Sequence, residues 1–147
     1  HGVVHSAENS QHIADWYSFS HVIHGFLFLA AARALLPKRS PGLWLALATL
    51  VEAAWEVAEN TPMVIDRYRE ATMAFGYSGD SVINSVADIA MMWLGLMVAF
   101  RWSWKRWLPV AVAFELFTLW AIRDNLTLNV LMLVSPVEAI REWQAGA

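Results

Sequence analysis

Apolar residues are gathered in four long stretches that are separated by short polar or basic turns. The stretches run over about 17–36, 43–59, 80–100 and 107–122. A transmembrane helix needs about 20 predominantly apolar residues, and proline, glycine and charged residues interrupt the chain between these stretches. The pattern therefore predicts an all-α fold, a polytopic transmembrane helix bundle with four spans, formed by a single domain over residues 1–147.

Three other segments do not fit a full span. Residues 63–75 mix apolar and charged positions, which is typical of an interfacial helix. Residues 126–134 are apolar but too short to cross a bilayer, so the tail 126–147 is predicted to be re-entrant or interfacial. Residues 1–16 are polar and precede the first predicted span.

Composition favours a membrane protein over a soluble one. Hydrophobic residues make up 58% of the chain and charged residues 16%, whereas soluble domains have roughly 45–50% and about 25%. Several of the nine tryptophans lie near predicted span ends, as in an interfacial aromatic belt. The net charge of -3 and the lack of a basic run argue against a nucleic-acid partner, and the chain has no cysteine for a disulfide or a thiolate metal site.

Basic residues predict the orientation of the bundle in a bacterial inner membrane. The turns after the first and third predicted spans carry four of them, namely Lys38, Arg39, Lys105 and Arg106. The positive-inside rule places these turns in the cytoplasm. Residues 1–16 and 60–79 are then expected to face the periplasm.

Ionisable and amide side chains form three stripes near the periplasmic ends of the predicted spans. The stripes are His21 and His24; Glu52, Glu56 and Glu59; and Asp80, Asn84 and Asp88. Residues three or four apart share one helix face. An ionisable group inside a bilayer costs roughly 2.5–3.5 kcal/mol on insertion scales unless it is paired, solvated or metal-bound. We therefore expect one shared polar cavity that opens towards the periplasm.

Each stripe also has a simpler interpretation. The histidines either ligate a metal or take part in a hydrogen-bond network with carboxylates, and His12 and Asp15 are further ligands or supporting partners in either case. For Asp80 alone, an N-cap of the third span is the simpler interpretation. A cap does not explain Asp88, which lies two turns deeper.

The glutamate stripe requires compensation, because like charges in a medium of low dielectric need cations or protons. The alternative to a bound cation is pairing with arginines of the same membrane face, which are Arg67, Arg69 and Arg123. Glu59 is expected to be more exposed than Glu52 and Glu56. Glu115, near the middle of the fourth span, is expected to pair with another helix or to be protonated.

Three strings of the sequence resemble an alphaproteobacterial inner-membrane family of unknown function: Asn9–Gly25, Trp55–Pro62 and Tyr77–Asp88. The resemblance extends through Asn129 and implies a further hydrophobic segment upstream of His1. More distantly, the order His-x-x-His-x-Gly, Trp-Glu-x-x-Glu and Gly-Asp-x7-Asp is similar to VanZ-like and YjdF-type multispan membrane proteins. That likeness implies a fold rather than a reaction.

Two hypotheses of function follow, and whether the protein is an enzyme stays open between them. The first is a divalent-metal site, with zinc among the candidate ions, for hydrolysis or transfer on a lipid-borne substrate or for structure. Its candidate metal ligands are His21, His24 and a carboxylate from Glu56 or Asp88, with Glu52 or Asp80 as general base. The second is a non-enzymatic accessory or assembly subunit, whose polar stripes bridge helices within a membrane complex with partner subunits. A small transporter fits less well, because the chain has few spans and no internal repeat.

Overall fold

The computed structural model describes residues 4, 6–72 and 76–146, and this part of the chain is all-α, as predicted. Seven helices and no strand occur within it. In chain order the helices are α1 (Ser18–Leu35), α2 (Pro41–Glu59), α3 (Pro62–Ala71), α4 (Val82–Arg101), α5 (Trp104–Ile122), α6 (Leu126–Val134) and α7 (Glu138–Ala145).

Capping residues set the starts of the helices that carry the polar stripes. Ser40 accepts a hydrogen bond from the backbone N–H of Leu43, and Pro41 occupies the first turn of α2. The hydroxyl of Ser81 accepts from the backbone N–H of Asn84 at 3.2 Å and caps α4. The interpretation of Asp80 as the N-cap was therefore wrong, and its carboxylate is available for another role.

Two of the four predicted spans, rather than all four, are long and apolar enough to cross a membrane among the residues described. These are α1, with a mean hydropathy of 1.3, and α4, with 1.7. Hydropathy thus supports two of the four predicted spans, α1 and α4, and not α2 and α5. Helices α2 and α5 form where expected and have 19 residues each, but ionisable residues lower their hydropathy. These residues are Glu52, Glu56 and Glu59 in α2 and Lys105, Arg106 and Glu115 in α5.

Helices α1 and α4 pack backbone against backbone at two glycines. A Cβ atom on Gly25 would collide with the backbone of Met92 and Leu96, and one on Gly95 would collide with the backbone of Val22. Small residues at a crossing allow such close approach. The two helices, which carry His21 and Asp88, are therefore fixed relative to each other by main-chain contact.

The shorter helices lie where interfacial segments were expected. Helix α3 covers most of the predicted segment 63–75, of which residues 73–75 lie outside the described part. Glu115 pairs with another helix, one of the two roles predicted for it. Its Oε1 and Oε2 accept from the backbone N–H groups of Leu126 (2.9 Å) and Thr127 (3.1 Å) at the start of α6.

Asp124 ties the C-terminal helices to the start of α1. It accepts hydrogen bonds from the Tyr17 hydroxyl at 3.0 Å and from Nε2 of Gln144 at 3.2 Å. Burial raises the pKa of Asp124 to about 6, although these hydrogen bonds oppose the shift.

The bundle has an apolar core around Phe26 and Met92 and, in addition, an unusually apolar outside. Large apolar side chains cover the outside, with Leu50 65%, Val57 71% and Trp120 80% exposed. The side chains of Glu52 and Asp88, by contrast, are almost completely buried. Soluble domains rarely bury carboxylates without a partner and rarely expose contiguous apolar surface.

Candidate metal centre

The three polar stripes meet in one cavity of about 260 Å³ between α1, α2, α6 and the segment before α4. Six histidine and acidic side chains line it, namely His21, His24, Glu52, Glu59, Asp80 and Asp88. Apolar side chains that include Phe28, Val51 and Val130 complete the wall. Three of the four residues predicted to ligate a metal line this cavity, and the fourth, Glu56, lies beside it, with Oε1 3.7 Å from Nδ1 of His21.

Glu52 joins both histidines of α1 to α2. Nδ1 of His21 donates to Oε1 of Glu52 at 2.6 Å, and Nδ1 of His24 lies 3.1 Å from each oxygen of the same carboxylate. The ring of His24 also stacks on Phe28. A carboxylate that accepts from one nitrogen of an imidazole fixes its tautomer and leaves the other nitrogen as a ligand atom. For His21 that other atom, Nε2, lies 3.8 Å from Oδ2 of Asp88.

Glu56 is buried without a well-formed hydrogen bond. Its Oε1 lies 3.7 Å from Nδ1 of His21, and the side chain of Ser85 is within reach, but neither oxygen accepts a hydrogen bond of good geometry from the described residues. A buried polar group without a partner costs about 1–3 kcal/mol, and more when it is charged. His21, Glu56 and Asp88 each offer a ligand atom, and these atoms lie within 4.8 Å of one another. The arrangement fits a cation held between them.

A second acidic group adjoins the first. Glu56, Glu59 and Asp80 also offer ligand atoms within 4.8 Å of one another. Glu59, expected to be more exposed, is buried as well, with 6% of its surface accessible. Three carboxylates at this distance repel one another unless protons or cations lie between them.

The loop before α4 is shaped to bring Asp80 to this place. Gly79 has a φ of +97°, which L side chains rarely adopt, and a Cβ there would press on Oδ1 of Asn60. That Oδ1 accepts from the backbone N–H of Asp80 at 2.7 Å, and the Tyr77 hydroxyl donates to Oδ1 of Asp80 at 2.8 Å. Burial and the adjacent carboxylate raise the pKa of Tyr77, so the phenol stays protonated and keeps donating.

The sequence did not predict three polar contacts of the site. Tyr77 and Asn60 contact Asp80, and the hydroxyl of Ser18 lies 3.5 Å from Oδ1 of Asp88. Tyr77 stands three residues before Asp80 in a turn, a spacing at which side chains meet, and this was the signal available.

The proposed pairing of the glutamates with arginines was wrong. The three guanidinium groups instead donate to backbone carbonyls: Arg67 to Leu133 at 2.9 Å, Arg69 to Tyr77 at 2.7 Å and Arg123 to Trp143 at 2.9 Å. Within the described residues the ion pairs of Glu52, Glu56 and Asp88 involve only the two histidines. The carboxylates of the cavity therefore lack permanent positive charge from the residues described.

The two supporting residues suggested from the sequence have local roles in the structure. His12 is largely exposed and pairs with Glu8, with Nε2 and Oε2 3.0 Å apart. Oδ1 of Asp15 accepts from the backbone N–H groups of Tyr17 and Ser18 at the start of α1. The first contact lies within the segment before α1, and the second lies at the start of that helix.

Comparison with known proteins places the chain among uncharacterised bacterial sequences. The sequence model of a family described as a protein of unknown function, DUF2585, matches residues 1–146. A UPF0314 protein of Sphingopyxis alaskensis is 62% identical over 146 residues, which cover 99% of this chain and 78% of the relative. UPF0314 proteins of Novosphingobium aromaticivorans and Paracoccus denitrificans are 58% and 53% identical, each over 99% of this chain and 76% of the relative. No solved structure matches.

Proposed function

The chain belongs to the DUF2585 family of unknown function, and we propose that it is an integral inner-membrane protein with a divalent-metal centre that acts in hydrolysis or group transfer on a lipid-borne substrate. The observation that carries this proposal is the excess of carboxyl groups over histidines in and beside one cavity. Five carboxylates, those of Glu52, Glu56, Glu59, Asp80 and Asp88, adjoin two histidines. Divalent cations balance such an excess and use these residue types as ligands.

The membrane part of the proposal is supported by the reversed polarity of the helix faces. In α2 all three glutamates are buried, while Leu50 and Val57 point outwards. The surface that α2 offers to its surroundings is therefore more apolar than the average over the helix. In α5 the carboxylate of Glu115 is used by α6, and Lys105 stands in the first turn of the helix. We propose that α1, α2, α4 and α5 cross the bilayer together, with their polar residues turned inwards or placed at the ends.

The contacts favour particular roles for the predicted site residues. His21, Glu56 and Asp88 hold the cation. Glu52, whose oxygens are engaged by His21 and His24, positions both imidazoles rather than accepting a proton, and His24 is a further ligand on that side. Asp80, which is less buried than the others, is then the acceptor for a proton from an attacking water. A cation bound there lowers the pKa of a bound water and polarises a carbonyl or phosphoryl oxygen.

The lipid-borne substrate is supported by the composition of the cavity wall. Phe28, Val51 and Val130 face the same space as the carboxylates, so an amphipathic molecule has both a polar and an apolar surface to contact. The cavity also lies beside helices whose outer faces are apolar. A fully water-soluble substrate would not need this combination.

Elemental analysis of the purified protein, reconstituted with Zn²⁺ or Mn²⁺ and then desalted, tests the metal centre. We expect at least one ion per chain in the unchanged protein and a loss of most of it in Asp88→Asn. His12→Ala changes a largely exposed histidine and is the control, with unchanged metal content. A correctly folded protein that binds neither ion would overturn the metal centre and favour the accessory-subunit hypothesis.

Cysteine labelling tests the predicted orientation. Because the chain contains no cysteine, Arg39→Cys and Ser78→Cys each provide a single exposed thiol. We expect a membrane-impermeant maleimide added to intact spheroplasts to label position 78 and not position 39, since basic turns stay in the cytoplasm. Labelling at 39 but not at 78 would reverse the topology, and equal labelling at both without lysis would refute the membrane span between them.

A further inference from the structure

The acidic group formed by Glu56, Glu59 and Asp80 shares the ligand Glu56 with the cation site proposed above, which gives Asp80 the role of proton acceptor and Glu59 no role. Its ligand atoms lie as close together as those of His21, Glu56 and Asp88. One site is thus made of an imidazole and two carboxylates, and its neighbour of carboxylates alone. The two sites meet at one side chain.

The shared side chain, Glu56, lacks a well-formed hydrogen bond. Glu56 is 4% exposed, and both of its oxygens are buried without a hydrogen bond of good geometry from the described residues. A carboxylate that contributes to both groups of ligand atoms is placed as a bridging ligand requires. Native structures rarely leave such a group unsatisfied without an ion or water.

We propose that a second divalent cation binds between Glu56, Glu59 and Asp80, and that the Glu56 carboxylate bridges it to the ion held by His21 and Asp88. This inference rests on the proposed metal centre and adds a second ion to it. In this arrangement Asp80 is a ligand of the second cation rather than a proton acceptor. In two-metal sites the ions lie about 3.5–4 Å apart, a separation that one carboxylate spans.

The ligand atoms determine the kind of cation. Carboxylate oxygens without imidazole favour hard ions such as Mg²⁺ and Mn²⁺, whereas imidazole also suits Zn²⁺. Hydrogen bonds hold Asp80 from the other side: the Tyr77 hydroxyl donates to its Oδ1 and Asn60 accepts from its backbone N–H. The side chain of Asp80 also forms a hydrogen bond with Glu59, which a cation bound between the two carboxyl groups would replace.

Charge balance supports a second ion over a single one. With all five carboxyl groups ionised and both histidines neutral, the site would carry five negative charges, of which one divalent ion compensates two and two divalent ions compensate four. With one ion the cavity remains strongly negative and would repel an anionic headgroup. With two ions it is close to neutral. The competing arrangement is a proton shared between Glu59 and Asp80, which would bind no second ion.

Mn²⁺ binding to the full chain in detergent micelles separates these arrangements. Equilibrium dialysis is expected to give two Mn²⁺ per chain, with a spin-coupled electron paramagnetic resonance spectrum. Glu59→Gln is expected to bind one Mn²⁺ and to give an uncoupled six-line spectrum, and the matched control Glu142→Gln, on an exposed face of α7, to keep two. Excess Mg²⁺ is expected to displace one Mn²⁺ from the unchanged protein.

Each result bears on a different proposal. One uncoupled Mn²⁺ in the unchanged protein, with the same value in Glu59→Gln, would overturn the second site and leave the proposed metal centre standing. No bound Mn²⁺ or Zn²⁺ in the unchanged protein would overturn both. The stoichiometry and the coupling in the unchanged protein decide the question even when Glu59→Gln fails to fold.

Discussion

Glu56→Ala is expected to lower the thermal stability of the metal-loaded protein and to raise, or leave unchanged, that of the metal-free protein. With metal, the variant loses a ligand and with it the stabilisation that binding gives, about 2.7 kcal/mol at a metal concentration 100 times Kd. Without metal, the unchanged protein carries a buried carboxylate that accepts no hydrogen bond of good geometry from the described residues. Removing that group relieves a cost of about 1–3 kcal/mol.

Melting curves recorded with Mn²⁺ and with a chelator show whether the change in stability caused by Glu56→Ala differs in sign between the two conditions. The control is Glu8→Ala, which changes a side chain that is 62% exposed and is expected to shift stability by no more than about 0.5 kcal/mol in either buffer. A Glu56→Ala protein that is equally destabilised with and without metal would mean that Glu56 is a structural residue. That result would contradict both proposed cation sites.

Gly95→Ala is expected to disrupt the bundle. The added methyl group would collide with the backbone of Val22, and a backbone cannot rotate away as a flexible side chain can. Overpacking usually costs about 1–3 kcal/mol, and we expect the upper end of that range or more. Because α1 and α4 carry His21 and Asp88, separating the helices is also expected to remove most of the bound metal.

Gly42→Ala is the matched control, since a Cβ at position 42 meets no atom within 4 Å. We expect it to melt with the unchanged protein or slightly above it, because alanine is favoured over glycine in a helix. The test measures the thermal midpoint and the metal content of both variants. If Gly95→Ala kept both values, the close crossing of α1 and α4 would be refuted.

The convergence of the stripes could be predicted from the sequence because helical geometry fixes it. His21 and Asp88 are 67 positions apart, yet each follows the spacing of its own helix and each was assigned to the same end of a span. The prediction needed only periodicity and the positive-inside rule. The positions of Glu52 and Glu56 inside the bundle follow from the same reasoning.

Other features depend on pairings that no local pattern encodes. Arg67, Arg69 and Arg123 were expected at the glutamates, but long side chains also reach backbone carbonyls, which are present everywhere and leave no signature in the sequence. Gly25 and Gly95 are important only because α1 and α4 pack at those positions, and a single sequence does not say which helices cross. The cap of α4 fell to Ser81 instead of its neighbour Asp80, a difference of one residue within the usual uncertainty of helix ends.

The contact of Glu52 with both histidines has a consequence for biogenesis. Helices α1 and α2 are adjacent in the chain, and residues 21, 24 and 52 leave the ribosome before α4 does. If the hairpin of α1 and α2 enters the bilayer as proposed, its own histidines can therefore hydrogen-bond the carboxylate of Glu52 before α4 is made. Asp88 arrives later, on a helix that docks through its glycine. In this order of events the histidines first hydrogen-bond Glu52 and only later ligate a cation. Protein made under metal starvation is therefore still expected to insert into the membrane.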